Sequence, residues 1–213
     1  MNPEPQGYLA EPATGTGPGV LVLHAWWGLN DTMRSLCDRL ASEGFVAFAP
    51  DLYRGAIATT IEEAESLSAG LDESRAKADI SGAVDFLVGR AGAGSGIGVM
   101  GFSLGAYFAL DLSTEDPERV RCVVVFYGTG PTDFSGSRAA YLGHFAENDP
   151  YEPSSYVDAL EDALRAAGRA ASFHRYEDTG HWFFEPDRSD AYIPAAAELA
   201  WQRTTVFLHD QLG

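Results

Sequence analysis

An apolar run enters the pentapeptide Gly101-Phe102-Ser103-Leu104-Gly105, and a helix-forming run leaves it through Ala106 and Tyr107. This strand, turn and helix around G-x-S-x-G constrains the chain more than any other stretch. The turn is so sharp that backbone crowding demands small residues on both sides of the serine, whose hydroxyl is lifted above the end of the strand. Ser103 is therefore the candidate nucleophile. The plainer alternative is an ordinary strand-to-helix turn with a capping serine, and the flanking chain has to decide.

Strand-like and helix-like runs alternate along the whole sequence. Gly19–His24, Phe45–Ala49, Gly96–Gly101, Val120–Tyr127, Ala139–Ala146 and Ala170–Tyr176 are short apolar runs bounded by turn residues, and residues 7–12 form a short early strand. Between them, helical spacing links Met33, Leu36, Cys37 and Leu40 behind a cap at Asn30 or Asp31. It also links Ile80, Ala83, Val84 and Leu87, and then Tyr156, Leu160, Leu164 and Ala167. A last helix, residues 193–209, is expected to turn Leu199, Val206 and Phe207 inward. The segment from Arg54 to Gly70 reads as a loop with a short helix. Such alternation implies an α/β fold, with a mostly parallel central sheet covered by helices on both faces. The 213 residues suffice for a single domain that buries roughly 70% of its unfolded surface.

Several function classes fall away. Gly96-x-Gly98-x-x-Gly101 matches a dinucleotide fingerprint in letters, yet its glycines lie inside a strand instead of following one. A net charge of −17, with Lys77 as the only lysine, argues against nucleic acid and anionic membranes. No run approaches the ~18 apolar residues of a membrane span. The N-terminal Met1-Asn2-Pro3-Glu4-Pro5-Gln6 has no export signal, so a cytoplasmic location is expected. Cys37 and Cys122 lie among apolar neighbours and read as reduced core residues. Neither a metal nor an organic cofactor is expected.

A serine hydroxyl needs a base to take its proton and an acid to orient that base. Of the five histidines, His24, His144 and His174 lie in or at the end of strands and His209 lies near the C-terminus; His181 alone occupies a glycine-led loop after the last strand. Asp149, Glu147 and Asp178 compete as the acid. Asp149 is preferred, because Asp178 is close to His181 in sequence and Glu147 is still near its strand's end. Ser103, Asp149 and His181 each follow a strand's C-terminal end, where open parallel sheets place their sites. The oxyanion needs two backbone N–H donors, those of Leu104 and, in the loop 25–28, Trp26. Trp27, Phe102, Tyr127, Tyr151, Trp182 and Phe183 are candidate substrate-binding aromatics.

Five stretches together resemble the dienelactone hydrolase family of α/β-hydrolases: Val-Leu-Val-Leu-His-Ala-Trp-Trp-Gly-Leu-Asn (20–30), Phe-Ala-Pro-Asp-Leu-Tyr-Arg-Gly (48–55), Gly-Phe-Ser-Leu-Gly (101–105), Gly-His-Trp-Phe-Phe (180–184) and Ala-Glu-Leu-Ala-Trp-Gln-Arg-Thr (197–204). The resemblance implies an α/β-hydrolase without a lid domain, a triad at Ser103, Asp149 and His181, oxyanion donors at Trp26 and Leu104, and a small ester or lactone as substrate. It departs from the best-known members twice. They use a cysteine tuned by a glutamate at the position of Ala25, whereas this chain has serine and no such glutamate. They carry a carboxylate-binding arginine where this chain has Glu185. A serine thioesterase or acyltransferase, and a non-catalytic binding protein of the same fold, are the competing readings. On the sequence alone, Glu185 and the overall charge are expected to repel an anionic substrate, unless Arg54 offsets them.

Overall fold

The computed structural model describes residues 5–91, 96–131 and 133–213. Residues 1–4, on which the reading of the N-terminus partly rests, lie outside them. Two compact units divide the chain, Met1–Ile97 and Gly98–Gly213. Among the described residues there are seven strands and six helices, interspersed along the chain.

In the first unit the strands are β1 (Gly7–Ala10), β2 (Gly19–Leu23) and β3 (Val46–Pro50), in the order β1-β3-β2. β3 runs parallel to β2 and antiparallel to β1. Every residue of β2 and β3 is buried, as a strand covered on both faces requires. Helices α1 (Asp31–Ser42) and α3 (Glu73–Arg90) pack on these strands. The side chain of Asn30 caps α1 by accepting from the Met33 N–H at 3.1 Å. Met33, Leu36, Cys37 and Leu40 form its buried face, and Gly44 (φ +95°) lets the chain leave. Asp72 caps α3 in the same way. The short helix expected before Gly70 is α2 (Ile61–Ala69), opened by a capping box between Thr60 and Glu63.

The second unit holds β4 (Ile97–Phe102, which begins at the unit boundary), β5 (Val120–Phe126), β6 (Ala140–Ala146) and β7 (Ala171–Tyr176), in chain order, with β5, β6 and β7 parallel. Of the three G-x-G-x-x-G glycines, Gly98 and Gly101 lie within β4 and Gly96 immediately precedes it. Helix α4 (Leu104–Glu115) packs on β5, α5 (Ser154–Ala166) on β7, and α6 (Pro194–Leu212) on β5 and β6.

Two helix faces differ from expectation. In α5 the inward residues are Val157, Leu160 and Leu164, while Tyr156 is 58% exposed. In α6 they are Ala197, Ala200, Trp201, Thr204, Leu208 and Leu212; Leu199 and Val206 are exposed and Phe207 is half-buried. Apolar residues occur all round α6, so hydropathy alone did not fix its rotation, and the small Ala200 and polar Thr204 pack inward instead. Both cysteines are free and buried, and burial pushes each thiol up to about 12. Among the described residues no helix is long and apolar enough to cross a membrane.

Candidate active site

Ser103 stands between β4 and α4 with φ +49° and ψ −111°, a left-handed conformation that non-glycine residues rarely adopt. Its N–H donates to Phe126 O at 3.0 Å, and its carbonyl accepts from Ala106 N–H at 2.9 Å. The turn leaves no room for side chains around it. A Cβ on Gly101 would stand 2.7 Å from Ala106 Cα, and one on Gly128 would stand 2.6 Å from Ser103 O. Leu104 is the first residue of α4, and its N–H therefore has no acceptor within the helix.

The loops after β6 and β7 are tied together by backbone hydrogen bonds, Glu147 N–H to Tyr176 O at 3.1 Å and Asn148 N–H to Thr179 O at 2.9 Å. These ties bring Asp149 against His181. Asp149 Oδ2 lies 2.7 Å from His181 Nδ1, and His181 Nε2 lies 2.9 Å from Ser103 Oγ. An ionised carboxylate can only accept, so Nδ1 carries the proton and Nε2 is free to accept from the serine hydroxyl. Both side chains are almost wholly buried, at 3% and 2% exposure for His181 and Asp149. Asp149 Oδ1 accepts from the N–H groups of Tyr151 (2.9 Å) and Glu152 (3.0 Å), which fixes the carboxylate.

Of the competing acids, Glu147 accepts from the Asp178 N–H at 2.9 Å, and Asp178 is exposed. Two of the other histidines are buried and held by structural bonds. His24 lies between Ala25 O and the Leu52 N–H, and His144 between Tyr176 Oη and Thr204 Oγ1. Burial lowers the pKa of both. Among the described residues no group of three or more His, Cys, Asp or Glu side chains could hold a metal ion.

The expected aromatics divide. Tyr127, Tyr151 and Trp182 surround His181, with ring centroids 4.9, 5.0 and 4.9 Å away. Phe102 is core, stacked on Phe126 at 4.6 Å, and Phe183 is fully buried beside Tyr127 and Tyr176. Trp26 and Trp27 belong to the first unit, in the turn after β2, with their rings 5.6 Å apart. Arg54, also there, is exposed with φ +54°.

Glu185 departs from expectation. It is completely buried and accepts from Tyr127 Oη at 2.7 Å. Burial pushes its carboxyl up to about 8, so near neutral pH it is mostly protonated and does not repel an anion. The charge assigned to it from the sequence assumed a solvated side chain. Glu152 was missed altogether: it accepts from Thr129 Oγ1 at 2.9 Å, and burial raises its pKa against that hydrogen bond. Its place three residues after Asp149 was the available signal.

The sequence pattern of the dienelactone hydrolase family matches residues 6–212. The chain is 32% identical to "Protein usf" of Aquifex pyrophilus over 217 residues, covering 97% of this chain and 94% of that one. It is 30% identical to the "Probable 2-oxo-3-(5-oxofuran-2-ylidene)propanoate lactonase" of Bradyrhizobium sp over 219 residues, 94% of this chain and 87% of that one. The solved dienelactone hydrolase of Anabaena variabilis superimposes with a TM-score of 0.71 at 21% identity, over 97% of this chain and 92% of that one. The fold is that of the α/β-hydrolases, mostly parallel strands with helices and no lid domain among the described residues. With this fold and a match running nearly end to end, the chain belongs to the dienelactone hydrolase family of hydrolases.

Proposed function

We propose that this chain is a serine hydrolase that cleaves a carboxylic ester or lactone through an acyl-enzyme. One observation carries the reading: a strained serine whose Oγ lies 2.9 Å from a histidine, which is itself 2.7 Å from a buried carboxylate. As Ser103 Oγ attacks the acyl carbon, its proton passes to His181 Nε2. The imidazolium is stabilised by Asp149, and the carbonyl electrons move onto the oxyanion. The Leu104 N–H, which has no acceptor within α4, supports that oxyanion. Collapse expels the alcohol, protonated by His181; water then attacks the acyl-enzyme, with His181 again as base. No step calls for a metal or an organic cofactor.

The name of the Bradyrhizobium relative supports including lactones among the substrates. The match over residues 6–212 supports one functional domain, and the free buried cysteines accord with a reducing, cytoplasmic setting. Stopped-flow hydrolysis of p-nitrophenyl acetate tests the mechanism. A burst of p-nitrophenolate, one per active site and absent from Ser103→Ala, is expected. Equal steady-state rates for the wild type and Ser103→Ala would refute it.

A further inference from the structure

We infer that Tyr127 and Glu185 form a positioning pair for His181, the buried carboxyl holding the tyrosine ring where it limits rocking of the imidazole. This rests on Ser103, His181 and Asp149 being the catalytic triad. The bond from Nδ1 to Asp149 fixes one direction of the imidazole but leaves the ring free to rock about it. Transfer of the serine proton needs the Nε2 lone pair aimed at Oγ. Something must therefore bear on the ring itself.

Tyr127 does so. It follows β5 directly, and its ring lies 4.9 Å from that of His181, tilted by 57°. Its backbone is left-handed, at φ +37°, where an aromatic residue is rarely found, and its N–H is held by His144 O at 2.8 Å. At the far end of the ring its hydroxyl donates to Glu185 Oε1 at 2.7 Å. Both residues are fully buried, and among the described residues Glu185 Oε2 has no hydrogen-bond partner.

Such a pair is a poor choice for stability alone. A phenylalanine and an apolar residue would fill similar space without burying a carboxyl that is only half satisfied. The polar pair supplies direction instead: a short hydrogen bond fixes where the ring end lies, as apolar contact does not. Glu185 is four residues beyond His181, in the same loop, so the bond also ties that loop back to the end of β5.

The test compares full-length wild type with Tyr127→Phe, Glu185→Leu and Glu185→Gln. It follows fluorophosphonate labelling rate, kcat and KM on p-nitrophenyl acetate, and circular dichroism melts. Tyr127→Phe and Glu185→Leu are expected to lower kcat and labelling rate about tenfold with KM changed less than about twofold, because alignment is lost while binding is kept. Glu185→Gln retains an oxygen for the tyrosine hydroxyl and should stay within about threefold of wild type. Should Glu185→Leu fail to fold, Tyr127→Phe decides alone. Wild-type rates in Tyr127→Phe, or a lowered melting temperature with unchanged kcat, would overturn the pairing; so would Glu185→Gln falling as far as Glu185→Leu. A wild type that never labels would overturn the triad and the pair together, whereas normal labelling of both wild type and Tyr127→Phe overturns the pair alone.

Discussion

Asp149 Oδ2 lies 2.7 Å from Nδ1 of His181, while the N–H groups of Tyr151 and Glu152 hold its other oxygen. Because the carboxylate is fixed before it meets the imidazole, it selects the tautomer that leaves Nε2 unprotonated. Asp149→Asn presents an amide that also fits the opposite tautomer, and kcat/KM should fall on the order of 10⁴-fold. Glu147→Gln, whose oxygen meets the Asp178 N–H, should cost less than about tenfold. Steady-state kinetics on an aryl ester check both. A larger loss at Glu147 than at Asp149 would reassign the acid.

The meeting of Ser103, Asp149 and His181 was legible because each sits just beyond a strand, where sequence order and spacing carry spatial information. The Asn30 cap and the buried faces of α1 and α3 were legible for a similar reason, since local hydrogen bonds and helical spacing determine them. Tyr127 with Glu185, and Gly128 against Ser103, were not. They are 58 and 25 positions apart, and only the folded second unit brings them together. Tyr156 and Val206 were misplaced for another reason: on helices with apolar residues on several sides, packing chooses the inward face.

Gly128 faces the elbow from outside the G-x-S-x-G letters. A Cβ there would stand 2.6 Å from both Ser103 O and Ala106 Cβ, so Gly128→Ala should destabilise by about 1–3 kcal/mol and slow esterase turnover. Gly82, in α3, has nothing within 4 Å of an added Cβ. Gly82→Ala should stabilise by roughly 0.5–1 kcal/mol. Urea unfolding of the two variants should shift in opposite directions, and a neutral Gly128→Ala would contradict the crowding.

Glu185 also shapes the pH dependence of stability. Its carboxyl is raised from the usual 4.5 to about 8, chiefly by burial, with Asp187 raising it further and Tyr127 and Arg188 acting the other way. A folded-state pKa above the unfolded one means the folded chain holds the proton more tightly. The associated stability is whole below about pH 4.5 and is lost as pH rises towards 8. Glu185→Gln removes this decline, so its melting temperature should exceed that of wild type by more at pH 8 than at pH 5. Parallel melting curves across that range would contradict the buried acid.

With no arginine at position 185, and with Asp149 and the half-buried Glu152 in the loop beside His181, uncharged acyl groups are the expected preference. At fixed ionic strength, kcat/KM for a neutral lactone should exceed that for its carboxylated analogue. A preference for the carboxylated lactone that disappears in Arg54→Ala would reverse this assignment.

The most direct measurement is of Ser103 itself. Incubation with a fluorophosphonate should form an Oγ–P bond with loss of fluoride, the serine proton passing to His181, and peptide mass spectrometry should locate a single adduct at Ser103. Ser103→Ala should carry none, and Asp149→Asn should label far more slowly. An unmodified wild-type Ser103 under conditions that label other serine hydrolases, or an adduct on a different residue, would contradict the assignment of Ser103 as the nucleophile.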